Sequence, residues 1–295
     1  MRTNPFCLAL LLAPLAAPQL FGAEKIRVSS FSTILTEIAQ QVGGERAEVT
    51  AHVQPGIDPH DFEPKPADLR RVSSAQLVLL SAKHMEGYVN KLEEATGGKG
   101  NFLQVGDGFT SLKMTDEAHR GKEVEDPHWW HSIDNVRRAT TIVRDALIKL
   151  GPPDAPLFNA NAAAYRARLD ALEKWVKRKL AELPRNKRKL VTSHDAFQYF
   201  AKENGFTIYP VEGVSSADQP SSKHVAELIK AIKEQGVKAV FTESLENPKV
   251  LAEITRETGA KVGGKLYADG LGEGDAGTYE GMYKHNVSTI VDALK

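Results

Sequence analysis

The feature that most constrains this chain is a long helical pattern in its middle. Between Asp154 and Leu183, closed by Pro184, the apolar residues Tyr165, Leu169, Leu172, Val176, Leu180 and Leu183 recur at steps of 4, 3, 4, 4 and 3. That is one stripe on one helix. Thirty residues at about 1.5 Å each would extend on the order of 45 Å, long enough to run along two domains. An ordinary surface helix would show the same stripe, but the mid-chain position favours a spine that connects two bodies.

On either side of the stripe, strands alternate with helices. Before it, strands are expected at Lys25–Ser30, Ala47–Val53, Ala75–Ser81 and Phe102–Val105, with helices at Thr33–Val42, Pro66–Ser73, Gly87–Thr96 and Asp134–Leu150. Lys113–Glu125 is polar and reads as an exposed loop. After the stripe, strands are expected at Lys189–Ser193, Phe206–Val211, Val237–Thr242 and Lys265–Ala268, and helices at Phe197–Asn204, Ser222–Gln235, Pro248–Thr258 and Tyr279–Leu294. Alternation of this kind argues for parallel sheets. The expected fold class is α/β, with two similar lobes joined by one spanning helix. The expected divisions are a signal peptide at 1–23, a first lobe at 24–153, the connecting helix at 154–184 and a second lobe at 185–295.

The leader rests on Arg2, an apolar run from Phe6 to Ala17 and the small residues before Glu24. This is the order of a secretory signal peptide, and the run is shorter than the roughly 20 apolar residues a membrane span needs. Cleavage is expected near Ala23, although Phe21 occupies a position that prefers a small side chain; an uncleaved anchor is the alternative. Cys7 is the only cysteine and lacks the small upstream residues of a lipid-modified one, so the mature chain has neither a disulfide nor a thiolate ligand. The 38 basic and 38 acidic residues balance, which gives no sign of a nucleic-acid partner or a basic membrane face. The mature protein is expected to be soluble and exported to the periplasm.

Gly56-Ile57-Asp58-Pro59-His60-Asp61-Phe62-Glu63-Pro64 places His60 in a proline-stiffened, acidic loop just past a strand. Open α/β sheets present ligand-binding groups at that edge. Asp126-Pro127-His128-Trp129-Trp130, Val191-Thr192-Ser193-His194-Asp195 and Leu266-Tyr267-Ala268-Asp269 repeat the arrangement. The gaps of 68, 66 and 75 residues match neither a zinc finger nor the helical His-Glu-x-x-His motif. Placement carries the argument: two candidates come from each lobe, which puts one divided metal site in the cleft. His52 reads as packed or surface, and His119, His224 and His285 as surface residues. His84 and His131 are candidates for the neighbourhood of the site, while Trp129 and Trp130 read as cleft or core packing.

These motifs, with Thr192-Ser193-His194-Asp195-Ala196-Phe197 and the Tyr267–Asn286 segment, resemble the substrate-binding proteins of bacterial zinc and manganese ABC transporters (cluster A-I). The resemblance covers nearly the whole mature chain. It implies two lobes on a rigid helix, one metal held in the cleft by His60, His128, His194 and Asp269, and delivery by a monomer to a membrane permease. Glu243, in Phe241-Thr242-Glu243, is expected to support a ligand rather than bind metal. Manganese-specific members of the family are expected to have a carboxylate where this chain has His194, so three imidazoles and a carboxylate point to Zn²⁺ over Mn²⁺. The long His-rich loop of many zinc members is missing, and His131 and Ser132 stand where an acidic residue is common, which bears on metal choice and on a periplasmic metallochaperone as a further partner. The competing readings are a zinc hydrolase, a serine hydrolase suggested by the run Ser193-His194-Asp195, and a metal-dependent adhesin. No motif supplies a general base, and no Gly-x-Ser-x-Gly elbow is present.

Overall fold

The structure is a computed structural model that describes residues 24–116, 122–215, 220–243 and 248–295. The expected leader and His119 lie outside the described residues. No helix among the described residues is long and apolar enough to cross a membrane.

In the first half, β1 (Ile26–Ser30), α1 (Thr33–Gly43), β2 (Ala47–Ala51), α2 (Pro66–Ser74), β3 (Leu77–Leu80), α3 (Val89–Ala95) and β4 (Phe102–Gln104) follow one another. Their strands form a parallel sheet in the order β2-β1-β3-β4. Every residue of β3 is buried, as a continuous apolar run covered on both faces should be. The Ser32 hydroxyl accepts from the Leu35 N–H and starts α1, the usual role of an N-cap serine.

The polar stretch after β4 is not a plain loop. It contains an antiparallel pair, β5 (Lys113–Asp116) and β6 (Lys122–Glu125). Met114 is its one fully buried apolar anchor, paired across the ribbon with Val124. One anchor in a lysine- and glutamate-rich run leaves too little alternation for a strand to be read from sequence.

α4 (Ile133–Leu150) leads to the spine α5 (Ala155–Leu180), 26 residues long, or about 39 Å. It is shorter than the expected Asp154–Leu183 helix, because Pro152–Asp154 form a separate turn and Leu183 packs from beyond the helix end. Phe158, Ala162, Tyr165, Leu169, Leu172, Val176 and Leu180 form its buried face. That face packs on α1 and α4 and, later in the chain, on α9.

The second half holds β7 (Lys189–Thr192), α6 (Gln198–Asn204), β8 (Thr207–Pro210), α7 (Ser222–Gln235), β9 (Ala239–Thr242), α8 (Pro248–Thr258), β10 (Lys261–Lys265) and α9 (Tyr279–Leu294). The sheet order is β10-β9-β7-β8, again parallel. Counted from its own first strand, it has the strand order of the first sheet. The last strand lies upstream of the expected Lys265–Ala268. The Gly263-Gly264 pair looks like a break, yet it forms an irregularity inside an edge strand, with Gly264 at φ 134°, as glycine permits at a bulge. One apolar cluster runs from Val28 and Ile38 through Tyr165 and Leu169 to Phe241 and Val287, so the two halves share a core through the spine.

Candidate metal centre

Two of the ligand candidates are set by the same local device. In Asp58-Pro59-His60 and in Asp126-Pro127-His128, the aspartate Oδ1 accepts the histidine's backbone N–H, at 2.8 and 2.9 Å. This is an Asx turn stiffened by proline. His60 thus sits in the loop after β2, and His128 in the turn before α4. His194 follows β7 directly, and Asp269 lies just beyond β10.

The four side chains converge. The ligating atoms of His60, His128, His194 and Asp269 all lie within 4.8 Å of one another. His128 Nε2 is 3.3 Å from His60 Nε2 and 3.4 Å from His194 Nε2. Asp269 Oδ1 is 3.7, 3.4 and 3.2 Å from the Nε2 atoms of His60, His128 and His194. A tetrahedron with metal–ligand bonds of about 2.0–2.1 Å has edges of roughly 3.3 Å. Asp269 Oδ1 is buried and has only the histidine Nε2 atoms for polar neighbours among the described residues. Four donor atoms around a common centre, five of their six separations near tetrahedral edge lengths, are what a single cation would satisfy.

Behind two of the rings stand carboxylates. His128 Nδ1 lies 2.9 Å from Asp126 Oδ1, and His194 Nδ1 hydrogen-bonds Glu243, whose other oxygen accepts the Ser193 N–H at 3.2 Å. A donor role at Nδ1 turns the Nε2 lone pair inward and raises its basicity. Burial alone would depress His128, but Asp126 and the nearby Asp269 outweigh it and hold the ring up at about 8. Burial also opposes charge on His194, yet Asp269 and Glu243 carry it well above the ordinary histidine range. Asp269 is disfavoured by burial, but His194 and His128 take it well below the carboxylate range. His60 is pushed down to about 3 by burial, which Asp269 only partly opposes.

Compared with known proteins, residues 28–293 match the family described as zinc-uptake complex component A, periplasmic (ZnuA). The chain belongs to this family. Its members are periplasmic metal-binding components of ABC transporters, not enzymes. The chain is 34% identical over 279 residues to the manganese-binding lipoprotein MntA of Bacillus subtilis, spanning 92% of this chain and 90% of that one. It is 32% identical over 270 residues to the iron-binding protein YfeA of Yersinia pestis, spanning 91% and 86%. Among solved structures, the periplasmic zinc-binding protein TroA of Treponema pallidum superposes with a TM-score of 0.84 at 28% identity, covering 92% of this chain and 99% of that one.

The remaining candidates sort cleanly. Glu243 touches a ligand ring, as the family resemblance implies for it. His52 is packed, with its nitrogens 2.9 Å from Asp68 Oδ1 and 3.1 Å from Ser29 Oγ. His285 is exposed and His224 half-buried, its Nε2 3.1 Å from the Pro210 carbonyl oxygen. His84 is exposed and lines a separate recess with Glu86 and Gln104. His131 is buried beside the centre, stacked on Phe197. Trp129 and Trp130 are both buried, and Trp130 sets its ring near His128. The Ser193-His194-Asp195 run is not a triad, since both His194 nitrogens face carboxylates that are not its sequence neighbour Asp195. Sequence reasoning assigned no role to Asp126; its repeat of the Asp-Pro-His tripeptide was the signal available.

Proposed function

We propose that this protein captures one Zn²⁺ in the cleft and delivers it to the permease of an ABC transporter. The observation that carries the reading is the cluster of three Nε2 atoms and one carboxylate oxygen, all within 4.8 Å of one another and with five of the six edges at 3.2–3.7 Å. Neutral imidazoles with one carboxylate form a borderline donor set in which Zn²⁺ outranks Mn²⁺ and Fe²⁺. The two supporting carboxylates, Asp126 and Glu243, offset the charge of a divalent ion away from water. Capture rather than turnover fits a site whose ligands come from both halves. A metal-shuttling protein of this kind works outside the cytoplasm, which agrees with a leader at 1–23 and cleavage near Ala23.

Mn²⁺ is the competing cargo, because a relative 34% identical is a manganese-binding lipoprotein. The test is a titration of metal-stripped protein with each ion against a chromophoric chelator, for the wild type and for His194→Asp. One tight Zn²⁺ equivalent, with preference moving towards Mn²⁺ in the variant, is expected. Tighter Mn²⁺ binding by the wild type would overturn the choice of metal, and the absence of any stoichiometric binding would overturn capture.

A further inference from the structure

The peptide carbonyl that precedes the fourth ligand is held from the opposite half of the molecule. Ala268 O accepts from Trp130 Nε1 at 2.8 Å and is 2.8 Å from His131 Nε2. A carbonyl oxygen has two lone pairs and only accepts, so both are filled, and His131 must carry its proton on Nε2. Trp130 and His131 are each 1% exposed, so water is not an alternative partner for either donor. Burial and the neighbouring His128 push His131 down to about 3, which keeps it neutral.

We propose that His131, together with Trp130, is a positioning residue for Asp269: the two donors clasp the Ala268 carbonyl and thereby set the distance from Asp269 to the histidines. This inference rests on the metal reading given above. Its physical basis is peptide planarity, because the Ala268 C=O lies in one rigid plane with the Asp269 N and Cα. Fixing the carbonyl oxygen fixes the plane from which the Asp269 side chain hangs. The same turn, Trp129–His131, starts at the ligand His128, whose carbonyl accepts the His131 N–H at 3.2 Å. At one end of the turn stands a ligand from the first half, and at the other the clasp on a ligand from the second. The turn thus gauges the 3.4 Å edge between His128 and Asp269.

The packing around His131 supports the role. Its ring lies 4.4 Å from the Phe197 ring, tilted by 35°, and Phe197 is three residues beyond His194. Its own carbonyl accepts the Tyr283 hydroxyl at 3.0 Å. The imidazole therefore has one orientation. A phenylalanine would fill the space and keep the ring contact while donating nothing to Ala268.

The test is a double-mutant cycle on Zn²⁺ affinity, read by chelator competition with the full mature chain, in which His131→Phe is made in the wild type and in Asp269→Ala. If the clasp acts through Asp269, His131→Phe weakens binding about tenfold in the wild type, within the range for residues that orient ligands. It then adds less than about twofold in Asp269→Ala, since its partner in the cycle is gone. His131→Gln, which keeps an N–H donor, restores most of the loss. Equal losses in both backgrounds would show a merely structural role and overturn the proposal, as would an unchanged affinity in the wild type. Should His131→Phe fail to fold by far-UV circular dichroism, Trp130→Phe removes the other donor and enters the same cycle. A wild type that takes up no Zn²⁺ overturns the metal reading and the clasp together, whereas a wild type that binds alongside an equally tight His131→Phe overturns the clasp alone.

Discussion

Zn²⁺ uptake should displace two protons near neutral pH, and its affinity should fall steeply in mild acid. In the metal-free protein the His128 ring is held up at about 8 and His194 is raised well above the ordinary histidine range. Both are protonated at pH 6.5, while His60, pushed down to about 3, is already neutral. Coordination requires both raised rings to lose their protons. Two positive charges leave as two arrive, so the buried centre keeps its net charge and no uncompensated charge is created away from water. Below pH 8 the logarithm of the affinity should therefore climb by up to two per pH unit, about 2.7 kcal/mol. The sign is fixed: a ligand with a raised pKa holds its proton more firmly, so lowering the pH weakens binding. Isothermal titration calorimetry at pH 6.5, in buffers of different ionisation enthalpy, counts the protons directly. A release of fewer than one per Zn²⁺ would refute the reasoning, because it would mean that the carboxylates do not hold His128 and His194 charged.

Glu243→Ala strips the His194 ring of its supporting carboxylate and should weaken Zn²⁺ binding roughly 10- to 100-fold in chelator competition; an unchanged affinity would deny Glu243 that role. Leu169→Ala empties a fully buried position on the spine and should lower the urea-derived stability by about 2–5 kcal/mol, whereas a loss below about 1 kcal/mol would be that of a surface position. At Gly281 an added Cβ would stand 1.8 Å from the Asp275 carbonyl oxygen, so Gly281→Ala should destabilise by about 1–3 kcal/mol, seen as a lower melting temperature. Small-angle scattering should give a radius of gyration of about 18 Å with and without Zn²⁺, the value for a compact chain of this size; a metal-dependent change would show that the halves separate.

Much of the fold was legible because its signals are local. β3 reads as a run of apolar residues, α5 as one stripe, and the helix starts at Ser32 and Ser221 as capping serines. The expectation for β10 missed because Lys-Val-Gly-Gly-Lys carries almost no apolar signal; its strand character comes from pairing with β9. The β5–β6 ribbon was hidden for a similar reason. The candidate ligand histidines stand at repeated Asp-Pro-His turns and strand ends, which a local reading can find. The clasp on Ala268 joins residues 137 and 138 apart, and no local pattern marks a buried imidazole as a donor. Nor does the repeated strand order locate the ligands. His194 and Glu243 follow the adjacent strands β7 and β9, the pair where the second sheet's connections change direction, which is the expected place for a site. The equivalent pair in the first sheet, β1 and β3, supplies none of the four ligands, and His60 and His128 come from other loops.

The pattern of support also says where the centre can open. Among the described residues, six hydrogen bonds tie the segment from Ala268 to Tyr283 to the first half: those to Ala268 O from Trp130 and His131, Leu271 N to Thr33, Tyr279 N to Glu37, and the Tyr279 and Tyr283 hydroxyls to the carbonyls of Trp130 and His131. At about 0.5–1.5 kcal/mol each, they sum to roughly 3–9 kcal/mol, before any loss of the shared core. Swinging one half away from the other must break them together. Withdrawing a single ligand is cheaper, and the ligands are not equally held. His128 leans on Asp126, His194 on Glu243, and Asp269 on the clasp at Ala268. Among the described residues, His60 shows no carboxylate or carbonyl partner for its outer nitrogen, and it rides on a loop that also forms the rim of the recess at Gly56, Ile57 and Asp58. Ile57, half-exposed on that rim, moves with it. Cargo should therefore enter and leave past the His60 loop, while the spine and the six ties keep the other three ligands in place.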